Sequence, residues 1–432
     1  MENFNRLLKK LEDRAFNLVV VGGGYVGLPV AYEFAKRGID TTVLEVDSRK
    51  VEALNRGESY IEDIPSHELK PLVESGKLSA TTDRSIHRSA DVVVITVPTP
   101  LDAEGNPDLS YVKAAIEGVR EHLHPGMLIS LESTTYPGTT DEMAELLEET
   151  GMRLGRDFFM GHSPERINPG DPVWKFHNTP KVVGGLDRLS TELMTRFYSI
   201  AVEKVVPVST ARAAELTKLL ENTFRAVNIA LVNEFAMISH KLNVDIWEVI
   251  EAAGTKPFGF MKFYPGPGVG GHCIPIDPLY LLWKVRRLGI DAEFIALADR
   301  INKSMPDFVV SLLEEALRSE GRELRDERIL VLGVAYKKNI SDTRESPAYR
   351  IVELLRRRGA QVKYHDPHVP RFMDMRSESL KSALGWTDTV VIITDHDAID
   401  WGTVADRASI IVDSRNALRK RGIKPKGRLV VL

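Results

Sequence analysis

The chain has 432 residues, enough for two or three domains at about 150 residues each. Hydrophobic residues make up 43% and charged residues 27%, an ordinary globular balance that excludes disorder as the main state. Lys plus Arg number 57 against 61 Asp plus Glu, so the formal net charge of −4 leaves no footprint for general nucleic-acid or anionic-membrane binding, and the one cysteine, Cys273, excludes an intramolecular disulfide, a CxxC redox pair and a cysteine-rich zinc site.

The N-terminus, MENFNRLLKKLEDRAFN, mixes acids with its bases and has no continuous apolar run. It reads as a short amphipathic helix rather than a secretory signal. No stretch reaches the roughly 18 apolar residues of a membrane span, and the expected address is cytoplasmic. From Asn17 to about Val208, apolar β-branched runs alternate with helical patterns. NLVVV (17–21), TTVLEV (41–46), DVVVITVP (91–98) and MLISLEST (127–134) are bounded by turn residues and read as buried parallel strands of a βαβ series. No proline occurs between Pro207 and Pro257, and Leu216, Leu220, Phe224, Val227, Leu231, Phe235, Ile238 and Leu242 recur every three or four residues. That is one apolar stripe on a long helix. Asn243 interrupts it, and Asp245 with Glu248 three residues on predicts a cap that starts a second helix. A helix of this length exceeds the globular norm and is expected to join domains and to pack against its own copy. From about Arg328, RILVLGVAY, AQVKYHDP, TDTVVIITDH and ASIIVDSRN are again strand-like, with a helical AYRIVELLRRRG after the first. The expected fold is α/β: an N-terminal Rossmann-type domain (1–208), a central long-helix domain (209–310) and a C-terminal Rossmann-like α/β domain (311–432).

Gly22-Gly23-Gly24-Tyr25-Val26-Gly27 fits GxGxxG, a weak pattern by itself. Its context is strong, because it follows the strand NLVVV and opens the helix LPVAYEFAKRG. Gly22 permits a tight turn, Gly24 lets backbone approach a pyrophosphate, Gly27 allows close helix–strand packing, and the helix N-terminus offers N–H groups to phosphate. Glu45, 18 residues after Gly27, can accept both hydroxyls of a ribose and would repel a 2′-phosphate, which favours NAD over NADP. Arg49 lies close by, and Asp47 is a less well placed ribose ligand. A glycine-rich turn without a cofactor is the alternative.

The densest segment is Phe263-Tyr-Pro-Gly-Pro-Gly-Val-Gly-Gly-His-Cys-Ile-Pro-Ile-Asp-Pro278. Such a loop brings backbone close to a ligand. If a helix starts near Pro275, Asp277 falls in its first turn and near the thiol. A free cysteine is most often an inert buried side chain; in a glycine-rich loop of an NAD enzyme the nucleophile reading gains weight. His272 is a thiol base, or equally a structural or substrate-facing residue.

GGGYVGLP, LESTTYPGTT, SPERINPGD, Lys218 with Asn222, GPGVGGHCIPIDP and GVAYKKNISDTRESP occur in that order. Together they resemble the UDP-glucose/GDP-mannose dehydrogenase family over about residues 17 to 432. The resemblance implies NAD-dependent, four-electron oxidation of the 6-hydroxyl of a nucleotide sugar to a carboxylate, with a role in polysaccharide biosynthesis, and no metal. It implies Cys273 as the nucleophile that forms a thiohemiacetal and then a thioester. It further implies that Lys218 stabilises the oxyanion, Asn222 orients the substrate, Thr134 with Asp277 holds the water that takes the first proton, and Glu165 assists thioester hydrolysis. From the residues alone, Lys218 and Asn222 read as a solvated helix face, Thr134 as a turn residue and Glu165 as an ion pair with Arg166. By the same resemblance Tyr25, Val26, Thr99 and Thr134 join Gly22, Gly24, Gly27 and Glu45 at the cofactor. Arg166, Phe260, Tyr264, Gly270, Lys337 and Arg344 would meet the UDP-sugar, with Lys338 beside them; a solvated basic loop and anchoring aromatics are the alternatives. The expected assembly is a homodimer or higher homo-oligomer. His272 and Ile276 stand where the UDP-glucose and GDP-mannose branches usually carry Ser and Lys. The segment is similar to the N-acetylhexosamine branch, and Pro275-Ile276, where UDP-N-acetylmannosamine enzymes more often have Ala-Val, favours UDP-N-acetylglucosamine as substrate.

Overall fold

The computed structural model describes residues 1–61, 63–167, 171 and 173–432. Positions 168–170 of the SPERINPGD motif therefore lie outside the described residues. The chain divides into two compact units, Met1–Glu221 and Asn222–Leu432.

The first unit opens with the expected amphipathic helix α1 (Glu2–Glu12), which buries Phe4, Leu7 and Leu11. Its sheet contains β1 (Asn17–Val21), β2 (Asp40–Leu44), β3 (Leu78–Thr81), β4 (Val92–Ile95), β5 (Met127–Leu131), β6 (Phe158–His162), β7 (Lys181–Gly185) and β8 (Val205–Pro207). The spatial order is β3-β2-β1-β4-β5-β6-β7-β8. Helices α2 (Gly27–Ala35), α3 (Ser48–Asn55), α4 (Ser66–Glu74), α5 (Ser110–Arg120), α6 (Thr139–Glu148) and α7 (Arg188–Ser199) connect the strands. Chain order reverses between β1 and β4, so the carboxyl ends of these strands form the crevice in which open α/β sheets bind ligands. β1 and β4 are almost wholly covered, as their continuous valine runs require. The four strands expected to be parallel, β1, β2, β4 and β5, pair parallel, and the sheet continues beyond them with one antiparallel pair. β6 and β7 run antiparallel, pairing Gly161 with Gly185 and His162 with Gly184. A Cβ on Gly161 would stand 2.5 Å from the Gly184 carbonyl oxygen. The glycines that weaken FFMGH and KVVGG as strand patterns are what permit this close pairing.

Helix α8 (Ala211–Leu242) is the long helix the periodicity predicts, and Asn243 ends it at φ 54. Its burial is the reverse of a simple amphipathic reading. Ala211, Ala214, Ala226, Ala230 and Ala236 are buried, whereas Leu220 is 65% and Leu242 68% exposed. The apolar stripe is uncovered in the single chain.

In the second unit α9 (Ile246–Ala253) begins at the expected cap, with Asp245 accepting from the Trp247 N–H. Then come α10 (Cys273–Arg286) and α11 (Glu293–Ser319). β9 (Arg328–Leu332), α12 (Pro347–Arg357), β10 (Gln361–His365), the hairpin β11 (Arg371–Phe372) and β12 (Met375–Arg376), β13 (Thr389–Ile392), β14 (Ile410–Asp413) and β15 (Arg428–Val431) follow, with short helices at Leu380–Trp386, Trp401–Arg407 and Ala417–Lys420 between the later strands. Five of the strands form a parallel sheet in the order β10-β9-β13-β14-β15. Here the order reverses between β9 and β13, which places the loop of residues 333–346 at a second such crevice.

Candidate active site

Gly22 follows β1 with φ +97, a conformation that favours glycine. A Cβ at Gly27 would lie 1.8 Å from the Gly22 carbonyl oxygen and 2.5 Å from Thr96 Oγ1. A Cβ at Gly24 meets nothing within 4 Å. The turn is thus tight beneath and open above the N-terminus of α2, which fits a dinucleotide pyrophosphate. Tyr25 is exposed, Val26 is partly so and Thr99, beyond β4, is buried. Glu45 directly follows β2, beside this turn. Its carboxylate accepts the N–H groups of Gly23 at 3.0 Å, Val46 at 2.8 Å and Asp47 at 3.1 Å. A carboxylate has about four acceptor positions, so this conformation leaves room for about one ribose hydroxyl rather than both. Asp47 caps α3 and holds Arg49 through two further bonds, turning that guanidinium to its own neighbour.

Beyond β5 and β6 the same unit gathers a second constellation. Thr134 is half-buried between Ser133, which donates to the Val97 carbonyl, and Thr135. Glu165 is 8% exposed, and its Oε1 accepts the N–H groups of Arg166 and Ile167, both at 2.5 Å. Its Oε2 meets Lys181 at 3.0 Å. The ion pair with Arg166 expected from sequence does not form: that guanidinium turns to Glu221 at 2.6 Å and to the Pro180 carbonyl. Lys218 and Asn222 are 9% and 4% exposed, so the solvated-face reading is also overturned. Burial raises the Glu165 carboxyl, but Lys181, the Ile167 amide and the Lys218 charge outweigh it and hold the group below the usual range.

Sequence reasoning missed three buried groups here. Lys181 bridges Glu165 and Glu132, and Glu132 also accepts the Tyr198 hydroxyl. Glu215, one turn before Lys218, accepts the Gly138 N–H at 2.7 Å and the Thr140 N–H at 2.9 Å, tying the first turn of α6 to α8. The available signal was an isolated charge within an apolar pattern, as in MLISLE and KVVGG.

In the second unit Cys273 is exposed and is the first residue of α10. The helix starts two residues earlier than expected, so Asp277 sits one full turn on, along the same face as the sulfur. Asp277 is 1% exposed and accepts from Asn222 Nδ2 at 2.5 Å. The loop before Cys273 is pinned at both ends. Asn233 accepts the Gly266 N–H and donates to Asn302, while Gly271 donates to the Arg344 carbonyl. A Cβ at Gly270 would lie 2.7 Å from Tyr336 Cβ, so only glycine lets this loop rest on the segment after β9. His272 is held below its usual pKa by burial and then by Arg344, which keeps the imidazole neutral. Arg344 chelates Asp342, and Lys338 pairs with Asp397; Lys337 lies on the same loop. Tyr264 stacks on Trp247 and donates to Glu251, while Phe260 is 44% exposed.

The comparisons agree with this layout. Three family models match in order: the UDP-glucose/GDP-mannose dehydrogenase family NAD binding domain at residues 16–202, its central domain at 212–304 and its UDP binding domain at 330–420. The UDP-N-acetyl-D-mannosamine dehydrogenase of Pyrococcus horikoshii is 39% identical over 411 residues, covering 93% of this chain and 96% of that protein. The UDP-N-acetyl-D-glucosamine 6-dehydrogenase of Pseudomonas aeruginosa is 38% identical over 357 residues, covering 82% and 83%. The solved structure of the UDP-D-ManNAc dehydrogenase from Pyrococcus horikoshii superposes with a TM-score of 0.88 at 37% identity, covering 96% of this chain and 98% of that one. The chain therefore belongs to the UDP-glucose/GDP-mannose dehydrogenase family, as an oxidoreductase with that family's NAD-binding domain.

Proposed function

We propose that this chain oxidises the 6-hydroxyl of a UDP-N-acetylhexosamine, UDP-N-acetylglucosamine in the first place, to the carboxylate through a covalent adduct on Cys273. The observation that carries the reading is an exposed thiol at the N-terminus of α10 with the buried Asp277–Asn222 pair one turn away. NAD, held by Gly22, Gly24, Tyr25, Val26, Gly27, Glu45, Thr99 and Thr134, would accept one electron pair when bound, and a second NAD replacing the reduced one would accept the other. Asp277, fixed by Asn222, and Thr134 hold the water that takes the hydroxyl proton. Once the sugar is an aldehyde, the Cys273 sulfur bonds to C6 and the former carbonyl oxygen becomes a thiohemiacetal hydroxyl, its developing charge met by Lys218. Loss of a second electron pair leaves a thioester. Water then adds at C6 while Glu165 takes its proton, the C–S bond breaks, and the sugar acid leaves with the thiolate restored. Regions 1–208, 209–310 and 311–432 divide cofactor binding, thiol chemistry and UDP-sugar binding, the last by Lys337 and Arg344 with Arg166, Phe260, Tyr264 and Gly270. A cytoplasmic address and a homodimer that covers the exposed stripe of α8 belong to the same proposal. Among the described residues, no helix is long and apolar enough to cross a membrane.

One observation favours the mannosamine epimer: a relative 39% identical over 93% of this chain carries that name. Pro275-Ile276 favours glucosamine. Epimers differ little in group chemistry, so the choice falls to a panel of UDP-N-acetylglucosamine, UDP-N-acetylmannosamine, UDP-N-acetylgalactosamine and UDP-glucose. The glucosamine sugar is expected to give the highest kcat/KM with two NADH per acid. Cys273→Ser should release no acid yet bind NAD as the parent does. One NADH per product, or acid from Cys273→Ser, overturns the covalent four-electron reading.

A further inference from the structure

Lys181 opens β7 and is 3% exposed. Its ammonium lies 2.8 Å from Glu132 Oε2 and 3.0 Å from Glu165 Oε2. Glu132 directly follows β5; its other oxygen accepts the Tyr198 hydroxyl at 2.5 Å, and Ser130 shares that hydroxyl at 2.7 Å. The two carboxylates are not equivalent. Glu165 keeps 11% of its side-chain surface open and Glu132 none. A lysine this deeply buried requires a partner, but one carboxylate would neutralise it. Two carboxylates on one ammonium leave a net negative charge in a covered site, and only the outer one can touch water.

We propose that Lys181, backed by Glu132, is a positioning residue for release of the acid: it fixes the Glu165 carboxylate in its ionised form, with its remaining lone pair turned outward to the water that cleaves the Cys273 thioester. The inference rests on the role given to Glu165 above. In that step the water oxygen bonds to the acyl carbon and its proton goes to Glu165. The C–S electron pair returns to sulfur, and the acid sheds its own proton to solvent; no electrons leave the system. Burial pushes the Glu132 carboxyl up to about 7 while Glu165 is held below its usual range, so a proton taken up by the pair goes to the inner carboxyl first. The other groups facing Glu165 are Lys218 from α8, which adds to Lys181, and Arg166, whose guanidinium is committed to Glu221. His162 at the end of β6 is pushed down to about 3 by burial and then by Lys181, and stays neutral.

The test compares Lys181→Met, Lys181→Arg and Glu132→Gln in the full chain with UDP-N-acetylglucosamine and NAD, reading the mass of the Cys273 peptide after quenching and the rate of acid release from pH 6 to 9. Lys181→Met is expected to accumulate the sugar-acyl adduct on Cys273, to show a burst of two NADH per chain, and then to release acid roughly 100-fold more slowly. Its release should rise with pH, because Glu165 without its ammonium holds a proton into the neutral range; the parent should show no such limb. Lys181→Arg should restore most of the rate, and Glu132→Gln should stay within about threefold of the parent. Where Lys181→Met does not fold, Lys181→Met with Glu132→Leu removes the buried ammonium together with its inner partner, and the same adduct is expected. No adduct and parental release in a folded Lys181 variant, or failure of Lys181→Arg to restore release, overturns the inference. A parent enzyme that yields one NADH per product, or that never acylates Cys273, instead overturns the reading beneath it.

Discussion

Glu215 joins the loop after β5 to the helix that carries Lys218, and its removal tests whether that tie is structural currency for the site. Glu215→Ala orphans two buried N–H donors, those of Gly138 and Thr140, and also removes the acceptor of the Thr140 hydroxyl. Each orphaned N–H costs about 1–3 kcal/mol, and the one lost methylene adds about 0.8 kcal/mol, so a loss of about 5 kcal/mol is expected for the first unit. Glu215→Gln keeps one acceptor oxygen and should lose about 1 kcal/mol. The pH dependence gives an independent reading. Burial pushes this carboxyl from 4.5 up to about 7 against the pull of its hydrogen bonds. Between those values the unfolded chain has lost a proton that the folded chain keeps, so stability falls as pH rises through the window and levels off above it. The full fall is about 3 kcal/mol, and Glu215→Gln, which does not titrate, should lack it. Hydrogen exchange read by mass spectrometry on peptides covering residues 133–148, from pH 5 to 8, measures both effects against the intrinsic rates. A Glu215→Ala loss below about 1 kcal/mol would show that the two amides find other partners. A flat difference between the parent and Glu215→Gln would show that the carboxylate is ionised throughout.

Gly27→Ala must move the start of α2 by more than 1 Å to relieve contact with the Gly22 carbonyl, and its NAD affinity, measured by calorimetry, should fall roughly 100-fold together with its melting temperature. Gly24→Ala meets open space in the free chain, so it should melt like the parent yet bind NAD poorly; unchanged affinity would move the pyrophosphate elsewhere. Leu220→Glu with Phe235→Glu places charge on the uncovered stripe of α8, and sedimentation should then find a monomer for the variant against the dimer proposed for the parent. A parent that sediments as a monomer at micromolar concentration would remove that interface.

What could be read from the sequence, and what could not, divides along a physical line. β1 lies at 17–21 as predicted because a valine run between turn residues has one reading. Gly22, Gly27 and Glu45 were legible because strand, turn and helix fix their places within a few residues of chain. The antiparallel β6–β7 pair was not, since its glycines register as breakers until a neighbouring backbone is present to need them. The stripe on α8 was visible, but periodicity cannot say which face the chain covers; the buried alanines decided that. Asn222 and Asp277 are 55 residues apart, and Lys181 is 49 from Glu132, so both contacts are products of topology alone. Lys218 and Glu165 were named from motifs, while burial overturned the solvated and Arg166-paired alternatives.

The clasp formed by Asn233, Asn302 and Gly266, with Gly271 on Arg344, separates a fixed stretch of chain from an adaptable one. Residues 266–273 are held by buried amides and by glycines that admit no side chain. Just upstream, Phe258, Phe260 and Met261 stand 69%, 44% and 64% exposed, in a stretch without helix or strand. Substitutions in that upstream stretch can reshape what a ligand meets while the register of the thiol stays put. If the sugar of the proposed function rests on these exposed aromatics, a lineage built on this arrangement is free to change its substrate by drift there, without reinventing its chemistry.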